Sequence, residues 1–292
     1  MTYTGKRSDS VRYVLLDKQL VDFTNIAINR PDMKGEHDIF NRVMPRDDIA
    51  VIAFLENRAT GSRLIVGNVH VFWNPAFTDV KMVQVAILLE SITKFANKWS
   101  KMPACTDKVL YRYANGDDED GNPIPDSTPQ TPGPSMEYSD AAQIPLLLCG
   151  DFNSTPTSGI YDFITSGTMS NQHEDLGSRN YGNLTRNGVS HPFSLKSSYS
   201  PIGELKFTNY TPNFTGTLDY IWYSTNTLQV VELLGDIDTE YLKRVPGFPN
   251  YHFPSDHVAL FARYVVKSKK EKRAIVEPDF GQGRDRDRDR QR

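Results

Sequence analysis

The segment Ile144-Pro145-Leu146-Leu147-Leu148-Cys149-Gly150-Asp151-Phe152-Asn153-Ser154 restricts this chain more than any other. Its continuous apolar start is the pattern of a strand buried on both faces. Gly150 follows, where a backbone can turn sharply or approach a ligand closely. If the extended geometry persists beyond it, Asp151 and Asn153 project to the same side. A carboxylate and an amide would then stand together at the mouth of a rigid element. That pairing suits Mg²⁺, which takes oxygen ligands and keeps several waters. The alternative is a strand that ends in an Asx-type turn.

The rest of the chain narrows the choice. Its 292 residues suffice for one large domain or two small ones, and 38% hydrophobic content supports a real core. A formal net charge of -3 gives no general attraction to polyanions, so any polyanion site must be a local cleft. Cys105 and Cys149 are far apart and in no metal spacing, which argues for a reducing compartment and against structural zinc. The first residues form no apolar secretory signal, and no apolar run is long enough to cross a membrane.

Along the chain, Val11 to Leu16 reads as a strand, and Val21 to Ile28 as a strand or buried edge. Residues 29–44 are polar, with Pro31, Gly35 and Pro45 as breakers. Residues 50–72 read as a hairpin. Residues 79–99 read as a helix, carrying Val85, Leu88, Leu89, Ile92, Phe95, Ala96 and Trp99 at helical spacing, with Thr78 or Asp79 as its cap. Residues 103–141 are rich in Pro, Asp, Gly and Ser and predict a disordered insertion. A short helix is expected near 157–166. Further strands are expected at 207–211, 218–223, 227–234 and 258–266. Residues 1–10 are expected to fray. The partial domain spans 11–266, and 267–292 is expected to be a disordered charged tail.

Three more polar clusters fall at strand ends. Asn68 and His70 alternate with Val69 and Val71, so the polar pair shares one strand face. Asp219 opens the apolar run Leu218-Asp219-Tyr220-Ile221-Trp222-Tyr223 and needs a partner, because an unpaired buried carboxylate is costly. Asp256-His257 precedes a strand, where a carboxylate can fix an imidazole tautomer. Each cluster alone also fits a purely structural role.

In order, these motifs resemble the endonuclease/exonuclease/phosphatase superfamily of DNase-I-like phosphodiesterases. Within it the chain is similar to the carbon catabolite repressor poly(A) deadenylases. The matching residues include Phe40-Asn41-Arg42-Val43-Met44, Asn68 to Pro75, Cys149 to Ser154, Asn209-Tyr210-Thr211, Leu218 to Ile221 and Phe253 to His257. The resemblance covers roughly 11–265, apart from the insertion. It implies an α/β fold, an incomplete DNase-I-like sandwich of two β-sheets flanked by helices.

It also implies roles. Asp151 would meet the metal and orient the attacking water, and Asn153 and His70 would hold the phosphate. His257 would act on the phosphate or water, oriented by Asp219. Asp151, Asp256 and His257 would form the metal side. Asn209, Phe214 and Pro75 would form an adenine pocket. The implied cofactor is Mg²⁺, two ions in the complete family domain. The implied activity is 3′-5′ removal of poly(A) from mRNA, in cytoplasm and nucleus, within the complex built on the NOT scaffold.

The chain departs from the family at its start, where neither the asparagine motif nor the main glutamate ligand stands. Glu36 and Glu56 are the early candidates to replace that glutamate. The leucine-rich repeats that dock the family to its complex are absent too. The expectation is a truncated deadenylase domain, poorly metallated and marginally folded. The rival readings are an inactive remnant that binds RNA or a partner, and another phosphodiesterase of the superfamily.

Overall fold

A computed structural model describes residues 12–105 and 134–267. The chain opens with β1 (Tyr13–Asp22), α1 (Phe23–Asn29), β2 (Ile49–Asn57), β3 (Arg63–His70) and the long helix α2 (Thr78–Ser100). After β4 (Leu146–Asp151) come α3 (Gly159–Ser166), β5 (Thr168–Met169), α4 (Asn183–Asn187), β6 (Val189–Ser190) and β7 (Leu195–Ser197). Then follow β8 (Asn209–Tyr210), β9 (Thr215–Gly216), β10 (Asp219–Ser224), β11 (Leu228–Leu233), α5 (Thr239–Leu242) and β12 (Ala262–Val266).

The main sheet has the order β1-β2-β3-β4-β10-β7. Its β3–β4 pair is parallel and the other pairs are antiparallel. A parallel step needs a crossover, and α2 lies within that connection. Along β2, Ala50, Ile52, Phe54 and Glu56 are buried and alternate with more exposed neighbours, so one sheet face looks into the core. Ile52, Phe54, Ile65 and Val69 form that core with Val85, Leu88, Leu89 and Ile92 of α2. Phe54 stacks on Trp99 with ring centroids 4.4 Å apart. Burial of such side chains contributes about 1.5–3 kcal/mol each before entropy is subtracted. The outer face of α2 is also covered, by the helical turn Ile39–Val43, the turn Glu174–Leu176 and α3, so the helix is buried nearly all round rather than along one stripe.

The opposite face of the main sheet meets a second layer. β11 and β12 pair as a separate two-stranded sheet, and Tyr264 of β12 packs its ring against Tyr223 of β10 at 5.7 Å. This layer covers only part of the face. Leu15, Leu20 and Val51 remain 53%, 58% and 45% exposed at its far side, so the sandwich is open there. The α/β architecture and the partial second sheet agree with the sequence reading.

Several local expectations are corrected. Val21 to Ile28 does not remain a strand, because Asp22 Oδ1 accepts the Asn25 amide and caps α1, turning Phe23 and Ala27 into the core. Residues 29–44 are not merely a polar loop, since Met33, Ile39 and Val43 are buried. Neither Thr78 nor Asp79 caps α2: Phe77 occupies the cap position without a side-chain bond, and Asp79 is buried against Arg42, Arg179 and Tyr181. The insertion proves shorter than 103–141 at its far end. Ser135 donates to Glu56, the Tyr138 hydroxyl accepts the Arg63 amide, and Tyr138 and Ala141 are buried. The expected frayed start, most of the insertion and the charged tail lie outside the described residues.

Candidate active site

Three strands of the main sheet deliver polar side chains in one row. His70 pairs with Asp151 across the parallel β3–β4 ladder, and Asp151 pairs with Asp219 across the antiparallel β4–β10 ladder. Residues paired across a sheet share a face, so the three side chains project together at the ends of their strands. They lie on the face that meets the second layer, and His257 arrives from the loop before β12.

Asp151 is the centre. Its Oδ1 accepts the Asn153 amide at 2.7 Å, and its Oδ2 lies 3.6 Å from His70 Nε2 and 4.0 Å from His257 Nε2. The two imidazole contacts are too long for direct hydrogen bonds. On its far side, His257 Nδ1 lies 2.7 Å from Asp219 Oδ2. Burial, and then the negative charge of Asp219, push the Asp151 carboxyl up to about 6. The Asp219 hydrogen bond raises the His257 imidazole above its usual value against the opposing effect of burial.

Gly150 has a geometric reason for being glycine. Its φ is +146°, and a Cβ there would fall 1.9 Å from the Val69 carbonyl oxygen. The strand end therefore lies hard against β3, and the close approach that glycine permits is to the Val69 backbone. Asn153 does not continue the extended backbone. It stands at φ 47°, its amide closing an Asx-type turn onto Asp151 and its Nδ2 donating to the Val71 carbonyl at 2.8 Å. Of the two alternatives in the sequence, the turn is the one adopted.

Asp256, expected on the metal side, accepts from Asn209 Nδ2 at 3.2 Å through Oδ2, and the residue grouped with Asp151 and His257 is Asp219. Among the described residues, one potential ligand atom from each of Asp151, Asp219 and His257 lies within 4.8 Å of the others. Two carboxylates and an imidazole converging at a partly buried point form a donor set for a divalent cation. Glu56 cannot join it: its side chain is fully buried, with Oε2 paired to Arg63 Nε at 3.1 Å. Glu36 is turned away as well, accepting from Asn180 Nδ2 at 2.6 Å.

The residues expected to form a base pocket stand as follows. Asn209 is buried on β8 and bridges by backbone to His257, so it adjoins the imidazole, although its amide is already engaged by Asp256. Phe214 stands 43% exposed at the tip of the β8–β9 hairpin. Its ring lies over Gly216, where a Cβ would come 2.8 Å from Phe214 Cζ. Pro75 is exposed in the turn after β3.

Sequence reasoning missed two supporting residues. The Thr208 hydroxyl accepts the amides of Leu218 and Asp219 at 2.9 and 3.0 Å, fixing where β10 begins. Lys81, 3% exposed on α2, donates to the Asn153 carbonyl at 2.5 Å. A threonine beside a β-like run and a lysine within a helix carry no local mark of either role.

The chain is 75% identical over 274 residues to a Phaeosphaeria nodorum protein named "CCR4-Not complex 3'-5'-exoribonuclease subunit Ccr4". It is 58% identical over 275 residues to a Coccidioides immitis protein of the same name. Each match covers 94% of this chain, but only 45% and 36% of those proteins, so the chain spans less than half of their length. Among solved structures it resembles ANGEL2, a 2',3'-cyclic phosphatase, with TM-score 0.57 and 23% identity over 87% of this chain and 68% of that one. The human Nocturnin catalytic domain matches with TM-score 0.50 and 19% identity, over 88% and 61%. These two likenesses establish the fold. The Ccr4 relatives bear out the resemblance drawn from the motifs. Residues 98–257 match the Endonuclease/Exonuclease/phosphatase family, and the chain belongs to it.

Proposed function

We propose that this chain carries the phosphodiester-cleaving site of a Mg²⁺-dependent 3′-5′ exoribonuclease that shortens poly(A), acting in the CCR4-Not complex for which its relatives are named. The observation that carries the proposal is the Asp151 carboxylate, flanked by His70 and by a His257 that Asp219 holds. Bound at Asp151, with Asp219 and His257 beside it, Mg²⁺ would supply Lewis-acid activation of the attacking water and neutralise phosphate charge. Asn153 offers its side-chain amide to a phosphate oxygen, anchored at its other hydrogen by Val71. Asp219 orients His257 through Nδ1 and favours its protonated form, and in that form the imidazole donates to the phosphate rather than binding the cation, as negative charge builds there. His70, with a side chain 66% exposed, meets the phosphate from the solvent side. Water adds to phosphorus, the bond to the preceding 3′ oxygen breaks, and that oxygen takes up a proton. Phe214 stacks on the terminal adenine, a contact worth about 1–3 kcal/mol per base.

A second reading, RNA binding without turnover, draws on one observation. Glu36 and Glu56, the early candidates for the missing glutamate ligand, are engaged elsewhere. One experiment separates the two. The 292-residue chain is incubated with 5′-labelled oligo(A) and Mg²⁺, and binding is measured in parallel. A ladder of shortened products that Asp151→Ala abolishes supports the exonuclease. Binding without shortening supports the second reading and rejects the first.

A further inference from the structure

We infer that Lys81 is a positioning residue of the active site, holding Asn153 in the left-handed turn that presents its amide to the phosphate. This rests on the phosphodiesterase reading of the site.

Asn153 is one of only two non-glycine residues at positive φ among the described residues, the other being Glu204. Such a conformation persists where the surroundings determine it. Three hydrogen bonds do so here. The Asn153 amide reaches Asp151 Oδ1, Nδ2 reaches the Val71 carbonyl, and the Asn153 carbonyl receives Lys81 Nζ. The first two come from the strand ends that form the cleft. The third comes from α2, behind the site, through a side chain that is almost wholly buried.

A buried ammonium is rarely tolerated without a specific partner. The Asn153 carbonyl is the acceptor, and Asp151 and Asp175 lie close enough to act on its charge. The bond fixes the orientation of the peptide that follows Asn153. With the Asx-type turn fixing the peptide before it, both sides of the residue are set, and so is the direction of its side chain. Lys81 itself is sealed from solvent and makes no contact with substrate.

The test uses Lys81→Met in the 292-residue chain, with Lys81→Gln, too short to reach the carbonyl, as the second variant if Met disturbs folding. In the substrate-free protein, carbon chemical shifts of Asn153 report its backbone conformation. Either variant is expected to move them out of the left-handed range, while Lys81→Arg keeps them there. On oligo(A), kcat is expected to fall at least tenfold with KM within twofold. In an Asn153→Ala background, Lys81→Met is expected to cost no more than twofold further. Unchanged Asn153 shifts, or losses that multiply in the double variant, would overturn the inference. If the wild-type chain does not shorten oligo(A), the functional proposal fails, and the chemical shifts alone decide the role of Lys81.

Discussion

Asp219 of β10 and His257 of the loop before β12 meet at 2.7 Å between Oδ2 and Nδ1, although the two residues are 38 apart in the chain. This contact sets the charge of the site, because the Asp219 hydrogen bond is the leading cause that raises the imidazole pKa above 6.5. A group raised in this way contributes stability that is fully present below its unfolded value, near 6.5. That contribution is lost as pH rises through the folded value. Asp219→Asn is therefore expected to lower the His257 pKa, read by imidazole NMR titration. The alkaline limb of the cleavage profile should move to lower pH with it, and kcat should fall by about two orders of magnitude, at the lower end of what one preorganised electrostatic contact contributes.

Asp151 has the opposite linkage. Its carboxyl is raised to about 6 from 3.8, so the folded state resists ionising it. The cost of ionising it appears as pH rises from about 4 and is complete above about 6. Asp151→Asn keeps an acceptor for the Asn153 amide and removes the buried charge. Without divalent cations it should raise the melting temperature at pH 7, by a free energy on the order of 3 kcal/mol, and change little at pH 3. It should also remove any stabilisation by added Mg²⁺. Thermal melts at both pH values, with and without EDTA, check all three outcomes.

Gly150→Ala places a methyl group 1.9 Å from the Val69 carbonyl oxygen at φ +146°. β4 must then shift away from β3. The expected loss is at least 3 kcal/mol in urea unfolding, since steric overlap and backbone strain act together. Cleavage should fall in the fraction that remains folded, because Asp151 is the next residue.

Phe214→Ala is expected to raise KM for oligo(A) by about 5- to 100-fold, the range of one lost stacking contact. Oligo(U), whose base stacks less well, should lose less. Measured KM values on both substrates decide it, and equal losses would remove Phe214 from the base pocket.

Much of the site was readable because each motif adjoined a strand with a clear apolar pattern. The runs ending at His70 and Asp151 and beginning at Asp219 were found, and the sheet brings those three residues together. What failed depended on partners far along the chain. Asp79 looked like a helix cap, yet Arg42 and Arg179 claim its carboxylate. Val21 to Ile28 has the β-branched and aromatic content of a strand, but a single capping carboxylate at Asp22 and the core beneath it select a helix.

His70, Asp151 and Asp219 occupy one rung of the sheet, and this makes the site sensitive to parity. Removing one residue from within β3 or β10 would turn that strand's polar end toward α2 and out of the cleft. Removing two would restore the facing but displace the side chain by about 6.6 Å along the strand, farther than any contact in the site can stretch. The same arithmetic does not apply to the connections. The chain between α2 and β4 can change length without altering which rung Asp151 occupies, because the ladder on either side fixes it. Strand length is thus a quantised variable in this protein and loop length a continuous one.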